Sequence, residues 1–233
     1  MIKVRRPVVA VLCLLALGSC RLFSMREDGG SDTESSVSEA LDPREVFLRL
    51  VHSHPSPEVR QIEPLLRAGT VRFATRVFDP VSAEERPVRD MLYIPGQRVI
   101  VSNPAFLMSS RVPVCGRQGR IRHEVQHLED DFAGMNLPPR RLSQSVAVEA
   151  AFDAARRMLH TEWRAGLAER EFLQSVSCHI SPLADLPTDQ LCDYFKQKML
   201  TDDYHLPLRL LAKYPAVRTW IEQVSCDELA GPY

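Results

Sequence analysis

Two histidines four residues apart, His123 and His127, stand in the run Arg122-His123-Glu124-Val125-Gln126-His127. On an α-helix that spacing puts both imidazoles on one face, where they can grip a single metal ion. Glu124, beside the first of them, is a carboxylate placed to carry protons for a water that such a metal would acidify. At about 100° per residue, Ile121, Val125, Leu128 and Phe132 fall on a narrow apolar stripe, with the histidines nearly opposite and Glu124 flanking them. The helix is therefore expected to pack its stripe into the protein and turn its histidines towards a cleft. An HExxH pentapeptide arises by chance in roughly one or two such chains per hundred, so its meaning depends on a third ligand.

A hydrolytic zinc site takes three protein ligands and keeps a fourth position for water. Asp131 shares the histidine face but lies eight residues beyond His123, about 12 Å along the axis, too far for one ion to take all three. The stretch from Ser145 to Ala155 is apolar or small except for Glu149 and Asp153, one turn apart. Carboxylates in such a run are costly to bury unpaired, and a metal and a histidine N–H would satisfy them. The alternative is that both face solvent on an ordinary Ala-rich amphipathic helix. With 21 residues intervening after the second histidine, Glu149 is the expected ligand. His160 lies about 16 Å from Glu149 along that helix and is not expected at the same ion. His179, Tyr204 and His205 are further candidates whose commoner role is structural. His52 and His54 could bind metal too, although surface histidines before a proline are the more frequent case.

The surrounding pattern supplies elements to position these residues. Asp42-Pro43 gives an N-cap and first-turn proline for a helix to His52, and a second short helix follows over Ser56–Leu66, ended near Gly69. Thr70 to Phe78 alternates as a strand, closed by Asp79-Pro80. Asp90–Ile94 and Arg98–Ser102 flank Pro95-Gly96-Gln97 and predict a β-hairpin. From Gly116 onward the pattern is mainly helical: Arg117–Phe132, Ser143–Trp163, Thr188–Met199, Asp203–Lys213 and Ala216–Val224.

HEVQH followed by Glu149-Ala150-Ala151-Phe152-Asp153 resembles the gluzincins, the thermolysin-like zinc peptidases with HExxH and a downstream ExxxD. The likeness covers roughly Arg98 to Asp153. It implies an α+β, zincin-like fold: a small β-sheet packed on the active-site helix, and a mainly α-helical C-terminal part. By the same resemblance His123, His127 and Glu149 would bind one Zn²⁺ per chain, Glu124 would be the general base, and Asp153 would hydrogen-bond a zinc histidine from behind. The family also aligns its substrate along a strand edge before the active helix, for which Val99, Ile100 and Val101 are the candidates; an ordinary structural strand is the rival reading. Two departures stand out: Val148 replaces the Asn found before the glutamate in well-known members, and no residue for stabilising the oxyanion is evident.

The N-terminus suggests where this would operate. Lys3, Arg5 and Arg6 precede the apolar run Pro7–Leu17 and then Leu17-Gly18-Ser19-Cys20, which resembles a bacterial lipoprotein signal. The resemblance implies a signal over residues 1–19 and lipidation of Cys20, with a plain secretory signal as the alternative. Arg21 in place of the Asp linked to inner-membrane retention points to the outer membrane. Residues 20–42 are rich in Gly, Ser and acidic groups and read as a flexible tether, leaving 43–233 as one domain. Loss of the three basic signal residues takes the net charge from −1 to −4, and the remaining Lys and Arg are scattered, which argues against nucleic acid as a partner. Cys115, Cys178, Cys192 and Cys226 remain, with no CxxC spacing, and suggest two disulfides of open connectivity in an oxidising compartment. The expected function is a zinc peptidase at the cell envelope, lipid-anchored to a membrane and acting on a peptide or protein. The alternative is a non-proteolytic zinc-binding envelope lipoprotein that keeps the same fold.

Overall fold

A computed structural model describes residues 41–79, 84–135, 147–200 and 214–230. The signal, Cys20, nearly all of the tether, the helix expected over 203–213, and Tyr204 and His205 lie outside the described residues. So does the side chain of Val148.

The described residues open with three helices, α1 (Pro43–His52), α2 (Pro57–Arg60) and α3 (Ile62–Arg67). Asp42 caps α1 by accepting the Arg44 N–H at 2.9 Å, as Asp-Pro predicts. Five short strands follow: β1 (Arg72–Ala74), β2 (Val77–Asp79), β3 (Glu84–Arg86), β4 (Met91–Ile94) and β5 (Val99–Ser102). The single strand expected over 70–78 is in fact β1 and β2, which belong to different sheets; β2 pairs antiparallel with β3. The hairpin of β4 and β5 is as the turn composition predicts, with Gly96 at φ +72° in the turn.

The three-stranded sheet has the order β1-β5-β4, with β5 parallel to β1 and antiparallel to β4. Val99, Ile100 and Val101 are therefore the buried middle strand, with hydrogen-bonding partners on both sides. This corrects their expected role: a strand whose two edges are already paired has no backbone to offer a peptide.

A short α4 (Pro104–Leu107) leads into α5 (Val114–Phe132), the helix that carries HEVQH. Its stripe Ile121, Val125 and Leu128 is sealed against α1 to α3 and the sheet in one apolar cluster. Phe132 drops out of the stripe: it is 46 % exposed, with the Arg98 guanidinium 4.8 Å from its ring centre.

Helix α6 (Ala147–Ser175) continues twelve residues beyond the predicted end at Trp163, since no proline or cap interrupts it. Helices α7 (Pro182–Asp185), α8 (Thr188–Leu200), α9 (Pro215–Gln223) and α10 (Cys226–Ala230) complete the described chain. The first part of α6 packs with α7 to α10 in a second apolar cluster around Trp163, Leu191, Phe195 and Ile221. Helices α5 and α6 thus join the two halves. Gly119 permits their close approach, because a Cβ there would meet Leu173 Cδ2 at 2.9 Å and Glu169 Cγ at 3.6 Å. Cys115 at the start of α5 is bonded to Cys178 just past the end of α6, so a disulfide closes one end of the same helix pair. The architecture is α+β with a small sheet, and no described helix is long and apolar enough to cross a membrane.

Candidate metal centre

His123 and His127 project from α5 towards α6, and the carboxylate that meets them is Glu162. The two Nε2 atoms are 3.2 Å apart; Glu162 Oε1 lies 3.4 Å from His127 Nε2, and Oε2 lies 3.6 Å from His123 Nε2. The two Glu162 distances end on different oxygens; one ligand atom from each residue gives three donors within 4.8 Å of one another, near the separation of about 3.3 Å between donors about 2.0–2.1 Å from a tetrahedral zinc ion.

The charges fit as well. Glu124, Glu162 and Glu169 are all buried, at 2 %, 8 % and 4 % exposure, and Arg120 is the guanidinium reaching into this cluster. Counted over these three glutamates and Arg120 alone, with neutral histidines, carboxylates outnumber the guanidinium by two, an excess a divalent cation would offset. Without one, a proton offsets part of the excess. Burial and Arg120 oppose protonation of His123, yet the Glu162, Glu169 and Glu124 carboxylates outweigh them and hold its pKa up to about 9.

Glu169, two turns beyond Glu162 on the same face of α6, places Oε2 3.0 Å from His123 Nδ1. A carboxylate at that distance pairs with the Nδ1 side of the ring and would leave Nε2 for a metal. Burial alone would raise the pKa of Glu169, but Arg120 and His123 draw it below the usual carboxylate value. Arg120 ties the cluster together, with Glu169 Oε2 at 3.3 Å, Glu124 Oε1 at 2.9 Å and Asp90 Oδ2 at 3.6 Å.

Glu124 is held between helix and sheet. Oε1 accepts from Arg120 and Oε2 accepts the Tyr93 backbone N–H at 2.7 Å, on the edge of β4 that faces away from β5. Each carboxylate oxygen has two acceptor positions, so Glu124 is fixed in place with acceptor capacity remaining.

The residues expected to complete the site lie elsewhere. Glu149 is exposed, thirteen residues before Glu162 on the same helix, which is about 20 Å along the axis and about 140° around it. Asp153 is nine residues before Glu162, about 13 Å away on the opposite face, where it accepts from Arg157 Nε at 2.9 Å. Glu162 takes the place expected of Glu149, and Glu169 the place expected of Asp153. The ExxxD spacing does not recur at Glu162, since the fourth residue on is Gly166. A signal for the carboxylates that meet the histidines was present: Ala151, Ala155, Leu159, Glu162, Gly166, Glu169 and Leu173 run at spacings of three and four, so Glu162 and Glu169 occupy positions of an otherwise apolar, buried stripe.

Asp131 accepts the Tyr93 hydroxyl at 2.7 Å and the Gly96 N–H, and so anchors the β4–β5 turn. Burial and that bond raise the Tyr93 pKa. His160 donates Nδ1–H to the Leu229 carbonyl at 2.8 Å, and His179 is an exposed partner of Asp185. His52 is exposed beside Glu63, whereas His54, expected at the surface, is fully buried between Ser56 N–H and the Gln118 carbonyl.

No family model matches the chain, and neither the curated proteins nor the solved structures contain a match to it.

Proposed function

We propose that this protein is a zinc-dependent hydrolase of peptide bonds with a zincin-like arrangement, whose metal ligands are His123, His127 and Glu162. The observation carrying this reading is the convergence of three donor atoms, supplied by two helices, beside a buried Glu124. Two imidazoles and one carboxylate are the ligand number of catalytic zinc, which leaves a fourth position, whereas structural sites use four protein ligands. The His127 and Glu162 side chains keep 11 % and 10 % exposure against 3 % for His123, so the site meets solvent on their side.

Zinc held there would supply Lewis acidity, acidifying a water and polarising a carbonyl. The chain's residues do the rest. Glu124, oriented by Tyr93 N–H and Arg120, accepts the water's proton on a remaining acceptor position and returns it to the leaving amine. Glu169 fixes the His123 ring, and Arg120 keeps Glu124 and Glu169 apart as separate carboxylates.

One observation favours a second reading, in which the metal is held without proteolysis. The Tyr93 N–H, which a substrate strand would use on the free edge of β4, is already taken by Glu124. Glu124→Gln separates the two readings. Both expect full zinc content in the variant; the peptidase reading expects cleavage of a mixed peptide library to fall by about 10²–10⁴-fold. A wild-type protein that carries zinc and cleaves no member of the library supports the second reading instead. Export and lipid anchoring at Cys20 remain part of the proposal, supported by the Cys115–Cys178 disulfide, which forms in oxidising compartments.

A further inference from the structure

Cys192 and Cys226 lie 34 residues apart in sequence and come together behind α6. Cys192, in the first turns of α8, has no solvent exposure and belongs to the cluster with Leu191, Phe195, Val224 and Leu229. Cys226 opens α10 at the rim of that cluster, half-buried. The two cysteines share one apolar cluster, Cys192 inside it and Cys226 packed against it. Their helices are already docked. Lys196 of α8 donates Nζ–H to the Val224 carbonyl at 2.9 Å, and α10 accepts from His160 of α6 at the Leu229 carbonyl. His160 is two residues from Glu162, so the C-terminal segment rests on the helix that carries the third metal ligand.

We propose that Cys192 and Cys226 close into a second disulfide that clasps the C-terminal segment to α8 behind α6. Both cysteines meet in one cluster, the segments beside them are docked by independent hydrogen bonds, and the chain already carries one disulfide. In the reaction, a small-molecule or protein disulfide is the oxidant. Cys226, the more accessible sulfur, displaces one half of it as a thiol and forms a mixed disulfide. Cys192 then displaces the other half, so both cysteines lose their protons, two electrons pass to the oxidant, and one S–S bond replaces another. Burial, reinforced by Cys226, pushes the Cys192 thiol up to about 12, which makes the second displacement slow. The proposal stands apart from the metal chemistry and holds whether or not the site is catalytic.

The test uses the full chain, incubated for hours with oxidised glutathione, then denatured, alkylated with iodoacetamide and mapped without reduction. Closure predicts a peptide pair joined through Cys192 and Cys226 and at least a tenfold loss of alkylation at both. Cys226→Ser should leave Cys192 alkylatable and Cys115–Cys178 intact. Full alkylation of both cysteines after oxidation, or glutathione retained on Cys226 with no Cys192 cross-link, overturns the proposal.

Discussion

Replacing Glu162 by Gln separates the structural assignment of the third ligand from the assignment suggested by spacing. Gln keeps the shape of Glu162 but removes the charge that faces both Nε2 atoms at 3.4 and 3.6 Å. Breaking a buried charge pair by removing one partner costs about 3–5 kcal/mol, which converts to a loss of roughly two to four decades in zinc affinity. Glu149→Gln acts at an exposed position about 20 Å along α6. Surface substitutions of that kind stay within about 0.5 kcal/mol, a change of less than about threefold. Competition against a chromophoric zinc chelator, run on wild type and both variants, measures the difference directly. Circular dichroism checks that each variant keeps its helices. Equal affinity for wild type and Glu162→Gln, or a large loss in Glu149→Gln alone, would exclude Glu162 as the third ligand.

Three further outcomes follow from the same geometry. Glu169→Gln removes the carboxylate 3.0 Å behind His123 and should weaken zinc binding about 10–100-fold while leaving the ligand set unchanged, by the same chelator competition. Gly119→Val should destabilise the fold by about 1–3 kcal/mol in urea, because it crowds Leu173 at the contact of α5 and α6. Gly119→Ala should cost less than Gly119→Val, since its single methyl meets Leu173 Cδ2 at 2.9 Å and Cγ at 3.2 Å while Ala gains about 1 kcal/mol of helix propensity over Gly. His54 gives the pH dependence. Burial, aided by Arg122 and Arg60, outweighs the hydrogen bond with Gln118 and holds its pKa down to about 4. The unfolded chain therefore binds the extra proton first: the His54 contribution is complete above about pH 6.5 and is lost as pH falls towards 4, by about 2 kcal/mol after allowance for solvent screening. Urea midpoints of wild type and His54→Gln should converge across that window, and parallel curves would exclude the mechanism.

Helix α5 was legible because its signals are local. The stripe of Ile121, Val125 and Leu128 and the opposite histidines follow from 3.6-residue periodicity within one element, and both reappear in α5. The β4–β5 hairpin was legible for the same reason, its turn residues lying between two short apolar runs. The third ligand depends instead on how far α6 runs and on which turn of it crosses α5. Glu149 drew notice as a carboxylate isolated among alanines, yet isolation in sequence marked a solvent-facing position. Glu162 and Glu169 sit in a charged stretch with Arg164, Arg170 and Glu171, where only their register with the buried stripe distinguishes them. The strand Val99–Val101 was misassigned for a related reason: alternation shows that a strand exists, while its place inside the β1-β5-β4 order is a property of the sheet. Of the described cysteines, Cys115 is paired with Cys178, which ties the start of α5 to the segment just after α6, the helix that carries Glu162.

The most direct measurement is X-ray absorption at the zinc edge on the full chain, purified without chelators, with metal content determined in parallel. A His123–His127–Glu162 site gives one zinc per chain, two imidazole nitrogens at about 2.0–2.1 Å, oxygen donors at about 2.0–2.2 Å, and no sulfur. Absence of stoichiometric metal, or sulfur donors at about 2.3 Å, would contradict it.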